Sequence, residues 1–167
     1  TEPAMSKNKS IRVKKKIFNT HLVLGFKTVS RSHPDSYTLD VVNGILGRGQ
    51  SGKMFTEIRS KRGLAYDVGT QVLADSNFGY FAAYAIIDKK NITLVEDLML
   101  EEIQSLKKVT AEEVKEAQNF IEGDHLLEIE DTQKVADQLL FWEQVKDATE
   151  MNEYLPKIKK VSVNDVK

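Results

Sequence analysis

The sequence predicts an α+β domain, an antiparallel sheet with helices packed on one face, and three observations carry that prediction. Runs rich in β-branched and aromatic residues lie next to one another, and Leu64 to Ala74 is separated from Phe78 to Ile87 only by the turn-forming Asp75-Ser-Asn77. Strands joined by so short a connection must run antiparallel. The order reads strand, strand, helix, helix, strand, strand and then helices, so that neighbouring strands pair by hairpins and the helices pack on one face.

The elements are read in chain order. Residues 1–10 are polar and are expected to be a disordered or linker segment, with one domain from residue 11 to 167. Ile11 to Phe18 and His21 to Thr28 read as strands. Pro34 suits the first position of a helix that carries Tyr37, Val41, Val42 and Ile45 at helical spacing as far as Leu46. The run Gly47-Arg-Gly-Gln-Ser-Gly52 breaks it, with Gly49 or Gly52 expected at positive φ. Ser51 is the expected cap of a second helix, which Gly63 should stop in a left-handed conformation.

The two long strands follow, the second apolar on both faces: Phe78, Tyr80 and Tyr84 on one, Phe81, Ala83 and Ile87 on the other. Such a strand needs cover on each side, one side from a partner domain. Ile92, Val95, Met99, Ile103 and Leu106 mark the next helix, and Thr110 with Glu113 makes a capping box for another. A pause is expected near Gly123. A further helix should carry Val135, Leu139 and Trp142 on one face, and Tyr154 to Lys160 is a short helix interrupted by Pro156. Ser162 reads as the cap of a last helix, and the chain reads as a domain excised from a longer polypeptide.

Composition excludes several function classes. Hydrophobic residues at 41% and charged residues at 29% are ordinary for a globular domain, and a net charge of −1 offers no basic face for nucleic acid. The single basic cluster, Lys7 to Lys16, interleaves cations with Val13 and Ile17, as a solvated strand does. Zero cysteines remove disulfides, thiol nucleophiles and thiolate metal sites. No apolar run approaches the roughly 18 residues of a membrane span. Without a leader pattern the compartment stays unassigned, with the cytoplasm as the default.

Three motifs have simpler readings. His21, His33 and His125 lack the spacing of a zinc-peptidase helix, and His125-Leu-Leu-Glu128 continues with Ile129 where the inverted motif would need another ligand. Hydrolytic zinc needs three protein ligands, so no metal site is expected in this chain. Gly47 to Lys53 has phosphate-loop spacing, but Met54 replaces the hydroxyl residue and a helix precedes it where a strand is needed. Asn91-Ile-Thr93 matches a glycosylation acceptor, and Asn91 serves equally as a helix N-cap. Glu96, Asp97, Glu101 and Glu102 are read as a solvated helix face.

Arg59 and Tyr66 stand seven residues apart across the helix-to-strand junction. Both are donors able to reach a peptide carbonyl, and neither hydrolyses one alone. Each also has an ordinary reading. Arg59 lies in a last helical turn with Lys61 and Arg62, where cations offset the dipole. Strand alternation places Tyr66 beside Leu64 and Val68, as a core tyrosine.

The stretch Asn43-Gly-Ile-Leu-Gly-Arg-Gly-Gln-Ser-Gly-Lys-Met-Phe-Thr-Glu-Ile-Arg-Ser-Lys-Arg-Gly-Leu-Ala-Tyr66 closely resembles the C-terminal half of the insulinase, pitrilysin and mitochondrial processing peptidase family. Thr20-His-Leu-Val-Leu-Gly-Phe26 and His33-Pro-Asp35 are similar too, so the resemblance runs from about Ile11 to the last residue. It implies one of two related α+β halves that face each other around a chamber. The zinc, its ligands and the glutamate base are then expected in the partner N-terminal domain or subunit. Residues matching Arg59 and Tyr66 would reach across to a peptide substrate, Tyr66 as the transition-state hydrogen-bond donor. Phe78, Tyr80 and Phe81 are expected to form an apolar wall along which an extended substrate lies.

The resemblance implies a substrate-binding, non-metal half of a zinc-dependent metallopeptidase, inactive alone. The alternatives from the same family are a non-catalytic scaffold, or a subunit that binds targeting peptides for a separate catalytic partner. A dimer, with no nucleic acid and no membrane partner, completes the expectation.

Overall fold

The computed structural model describes residues 7–16 and 18–167. The hairpin forms where its turn signal sits. The strands β2 (Ala65–Ala74) and β3 (Gly79–Ile87) are closed by the Asp75 N–H donating to the Phe78 carbonyl at 2.8 Å. A further strand, β1 (Thr20–Thr28), pairs with the other edge of β3, giving an antiparallel three-stranded sheet in the order β1-β3-β2. One row across it is Val23, Tyr84 and Gly69, and the next is Leu24, Ala83 and Thr70.

Alternation along β3 separates the two faces. Phe81, Ala83, Ala85 and Ile87 are buried against the helices, whereas Tyr80, Ala82, Tyr84 and Ile86 keep part of their surface. The helices are α1 (Asp35–Gly47), α2 (Ile92–Ser105), α3 (Ala111–Glu128), α4 (Thr132–Val145), α5 (Glu150–Lys160) and the single turn α6 (Val163–Val166). A π-helical segment, Phe55–Ser60, lies between α1 and β2. Val41, Ile45 and Leu46 of α1, Met54, Ile58, and Val95 and Met99 of α2 are sealed between helices and sheet. Burying a side chain of this size contributes about 1.5–3 kcal/mol.

Two polar devices fix the outer helices. The buried Gln118 amide on α3 donates to the carbonyls of Ile158 and Val161, both at 3.0 Å, satisfying groups orphaned at the end of α5. Arg31, between β1 and α1, makes a bidentate pair with Asp40 on α1 at 2.7 and 3.2 Å, and the Tyr154 hydroxyl of α5 donates to the same carboxylate at 3.2 Å. Burial is the largest influence on the Arg31 guanidinium and opposes its charge, but the bond and charge of Asp40 outweigh it and leave the pKa raised.

Several expectations need correction. Residues 11–16 and Phe18 form no strand, and Ile11 and Val13 are 86% and 71% exposed; Ile17 lies outside the described residues. Among the described residues nothing covers this segment, so its β-favouring composition is not realised. Ser51 does not cap the second helix. Its hydroxyl is taken by Arg48, and the extended Gly52 (ψ 151°) supplies the first acceptor instead. Asn91 occupies the N-cap position of α2 without a side-chain cap bond. α3 runs through Gly123 unbroken, and α5 keeps eleven residues with Pro156 inside it. The carbonyl that Pro156 cannot serve belongs to Asn152, which is exposed to water. Leu139 is half-exposed because α4 is an outer helix that seals only the narrower seam around Trp142.

The capping boxes of Thr110 with Glu113 and Ser162 with Asp165 are both present, and Gly49, not Gly52, takes positive φ.

Candidate functional site at the helix-to-strand junction

The segment before β2 is wound more widely than an α-helix. The Lys61 N–H reaches back five residues to the Thr56 carbonyl, and the Leu64 N–H reaches Ile58, each at 3.0 Å. Gly63, at φ +62°, turns the chain out of this helix and into the sheet. Single-turn π segments recur at functional sites because the extra residue re-aims side chains.

Arg59 leaves this segment on its exposed side, with its guanidinium carbon 5.0 Å from the Phe55 ring centroid. Its neighbours are engaged elsewhere. Lys61 and Arg62 both bind Glu57, which holds that carboxyl below the usual carboxylate range. Among the described residues Arg59 has no carboxylate partner, so its N–H fork is available to an external carbonyl.

Tyr66 does not follow strand alternation, because the register breaks there. Ala65 pairs with Ile87 and Asp67 pairs with Ile86, so Tyr66 is the extra residue of a β-bulge. Ala65 therefore keeps the core face and Asp67 takes the open one, while Tyr66 is swung out and 56% exposed. The sequence reading of a core tyrosine is overturned by that one inserted residue. The phenol donates to Asp88 Oδ1 at 3.3 Å, long for a bond between oxygens.

The sheet face away from the helices carries an apolar surface. Tyr80 and Tyr84 of β3 lie on it, with Leu73 opposite Tyr80 and Val23 opposite Tyr84. Tyr84 lies flat over Gly69, where a Cβ would stand 2.8 Å from its hydroxyl oxygen. Phe78, just ahead of β3, is 38% exposed. Phe81 departs from the expected wall. It is 5% exposed on the helix-covered face, its ring centroid 6.1 Å from that of Phe26, because an odd position on β3 points into the core. Tyr84 is exposed on the open face, the face to which strand alternation assigns it together with Phe78 and Tyr80. No local sequence pattern pairs Asp88 with Tyr66, 22 residues away.

Among the described residues no three His, Cys, Asp or Glu side chains converge to hold a metal ion. His33 Nδ1 accepts the Asp35 N–H at 3.2 Å, and the His125 ring packs against Tyr154 at 5.5 Å between centroids.

The family profile described as "Peptidase M16 inactive domain" matches residues 1–121. This chain belongs to that family. The M16 inactive domain is 27% identical over 159 residues to the uncharacterized zinc protease SCO5738 of Streptomyces coelicolor, covering 92% of this chain and 34% of that protein. It is 33% identical over 117 residues to the uncharacterized zinc protease ML0855 of Mycobacterium leprae, covering 68% and 26%. The chain thus spans about a third or less of the length of these curated relatives. Among solved structures, a protease from Helicobacter pylori superposes with a TM-score of 0.84 at 20% identity, over 92% of this chain and 38% of that one. A chain of Complex III2 from Candida albicans superposes at 0.80 and 18% identity, over 92% and 40%. At these identities the structural likeness establishes the α+β fold, and the M16 inactive domain shares it.

Proposed function

We propose that this domain is the substrate-facing, metal-free half of a zinc-dependent metallopeptidase, with the metal held by an N-terminal partner half. The chain holds an extended peptide and donates hydrogen bonds to it while hydrolysis occurs at the partner's site. The observation that carries this reading is the bulge at Tyr66, which turns a half-exposed phenol out of the sheet seven residues after Arg59, a guanidinium with no carboxylate partner among the described residues. A peptide carbonyl attacked by water develops negative charge on oxygen, and a positioned O–H stabilises that charge more than it stabilises the starting amide. Arg59 serves the neighbouring substrate carbonyl, a charge-assisted bond of about 1.5–3 kcal/mol. Phe78 and Tyr80, with Tyr84 in place of Phe81, form the wall along which the peptide lies.

Tyr66→Phe in the full-length protein is the test. Loss of one such donor is expected to lower kcat about 10²–10³-fold with KM little changed, because the bond strengthens in the transition state. An unchanged kcat removes Tyr66 from the reaction. A second reading, a scaffold or targeting-peptide-binding subunit without catalysis, draws support from the shared fold of the Candida Complex III2 chain. It predicts a full-length protein that hydrolyses no peptide while still assembling with a partner.

A further inference from the structure

On the sheet face turned away from the helices, β2 presents positions 67, 69 and 71 in turn. Asp67 and Gln71 are exposed, but Gly69 between them is buried. Its cover is the ring of Tyr84, its register partner on β3. A Cβ built on Gly69 would lie 2.8, 3.1 and 3.3 Å from the Tyr84 hydroxyl oxygen, Cζ and Cε1. Those three atoms form one edge of the far end of the side chain. Tyr84 therefore leans across to β2 and rests on bare backbone, a pose open to it only because residue 69 has no side chain.

A strand side chain ordinarily stands roughly perpendicular to the sheet. Laid over, Tyr84 makes a low floor instead of a post, and it stays 36% exposed. Its neighbours extend that floor: Val23 opposite it on β1 is 61% exposed, and Ala82 and Ile86 flank it along β3 on the same face. The row Val23, Tyr84 and Gly69 has no charged member. Asp67 stands one row away beside Ile86, and Lys27 two rows away beside Tyr80. The surface at Tyr84 is thus suited to sense the bulk of an apolar group, not its charge.

We propose that Tyr84 is a specificity-determining residue, a platform on which a peptide substrate seats one large apolar side chain, and that Gly69 is the positioning residue that keeps the platform down. This rests on the reading that the open face holds an extended peptide. A Cβ at position 69 drives the ring off β2. The far end of a tyrosine moves by rotation about its own bonds, so the ring rises without a shift of the strands and stands over the track the peptide occupies. The substrate class is an extended peptide with a leucine- or phenylalanine-sized residue at one position, told from alanine by its contact with the ring.

Hydrolysis by the full-length protein tests this with peptides of one cleaved sequence in which each residue in turn is Leu or Ala. At one position the wild type is expected to show a KM about 10-fold lower for Leu than for Ala. Tyr84→Ala abolishes that preference. Gly69→Ala weakens it, with the loss in KM more than in kcat, and adds nothing in a Tyr84→Ala background because Gly69 acts through the ring. Tyr66→Phe lowers kcat and leaves the preference in place, which separates the platform from the transition-state donor. A ring over a glycine can also serve the strand pair alone; that role lowers the melting temperature without touching the preference. A preference that survives Tyr84→Ala overturns the proposal, as do effects that add in the double variant. If Gly69→Ala does not fold, Tyr84→Ala decides by itself. If the wild type binds these peptides without cleaving them, the catalytic reading fails, and the same comparisons of Kd by calorimetry decide the platform. A wild type with no preference for Leu at any position overturns it outright.

Discussion

Replacing Arg31 with Met should destabilise the domain more than any other single change outside the apolar core. The Arg31 and Asp40 side chains are 11% and 12% exposed, and the guanidinium lies 5.8–6.0 Å from the ring centroids of Tyr37, Trp142 and Tyr154. Methionine preserves much of the stem's packing, so the loss is electrostatic. The Asp40 carboxylate is left in a nearly dry site with the Tyr154 hydroxyl as its remaining side-chain donor. Removing one member of a buried pair costs about 3–5 kcal/mol, a large part of the roughly 5–15 kcal/mol available to a domain. Urea unfolding followed by fluorescence reports this directly, because Trp142 is the single tryptophan, is buried, and lines the same cluster. The cost arises from an orphaned charge, so Arg31→Met with Asp40→Leu should recover most of it. A single-variant loss below about 1 kcal/mol, or a double variant as unstable as the sum, would refute the reasoning.

Three further outcomes are expected. Under the proposed function, Asp88→Ala should raise kcat for peptide hydrolysis by the full-length protein a few-fold, since a phenol has one proton and Asp88 holds it at rest; the gain should vanish in a Tyr66→Phe background. Gly63→Ala should cost about 1–2 kcal/mol in chemical denaturation, because its φ of +62° is unfavourable for any residue with a Cβ. Glu150 accepts bonds from Lys146 and Lys157, which depress its pKa in the folded state, so its contribution is complete above the ordinary glutamate range and fades as pH falls. The stability gap between the wild type and Glu150→Gln should therefore be constant above about pH 5 and close as the pH drops below about 4 in pH-dependent thermal melts. A gap that widens on acidification would contradict the sign.

Local chemistry fixed much of this protein in advance. The β2–β3 hairpin, the Gly63 stop, the Thr110 capping box, the Ser162 cap and the alternating faces of β3 follow from turn residues, cap residues and side-chain period, all of which act within a few positions of the chain. What the amino acids alone could not decide are the features that depend on a distant neighbour or on an irregularity in pairing. Whether residues 11–16 and Phe18 form a strand depends on a partner, and none lies beside them among the described residues. Whether Tyr66 points into the core or out of it depends on a bulge that exists only once β2 registers against β3. The same period that puts Phe81 on the opposite face could not say which face the helices would cover, and that choice, made by packing, buries Phe81 and leaves Tyr84 on the open face.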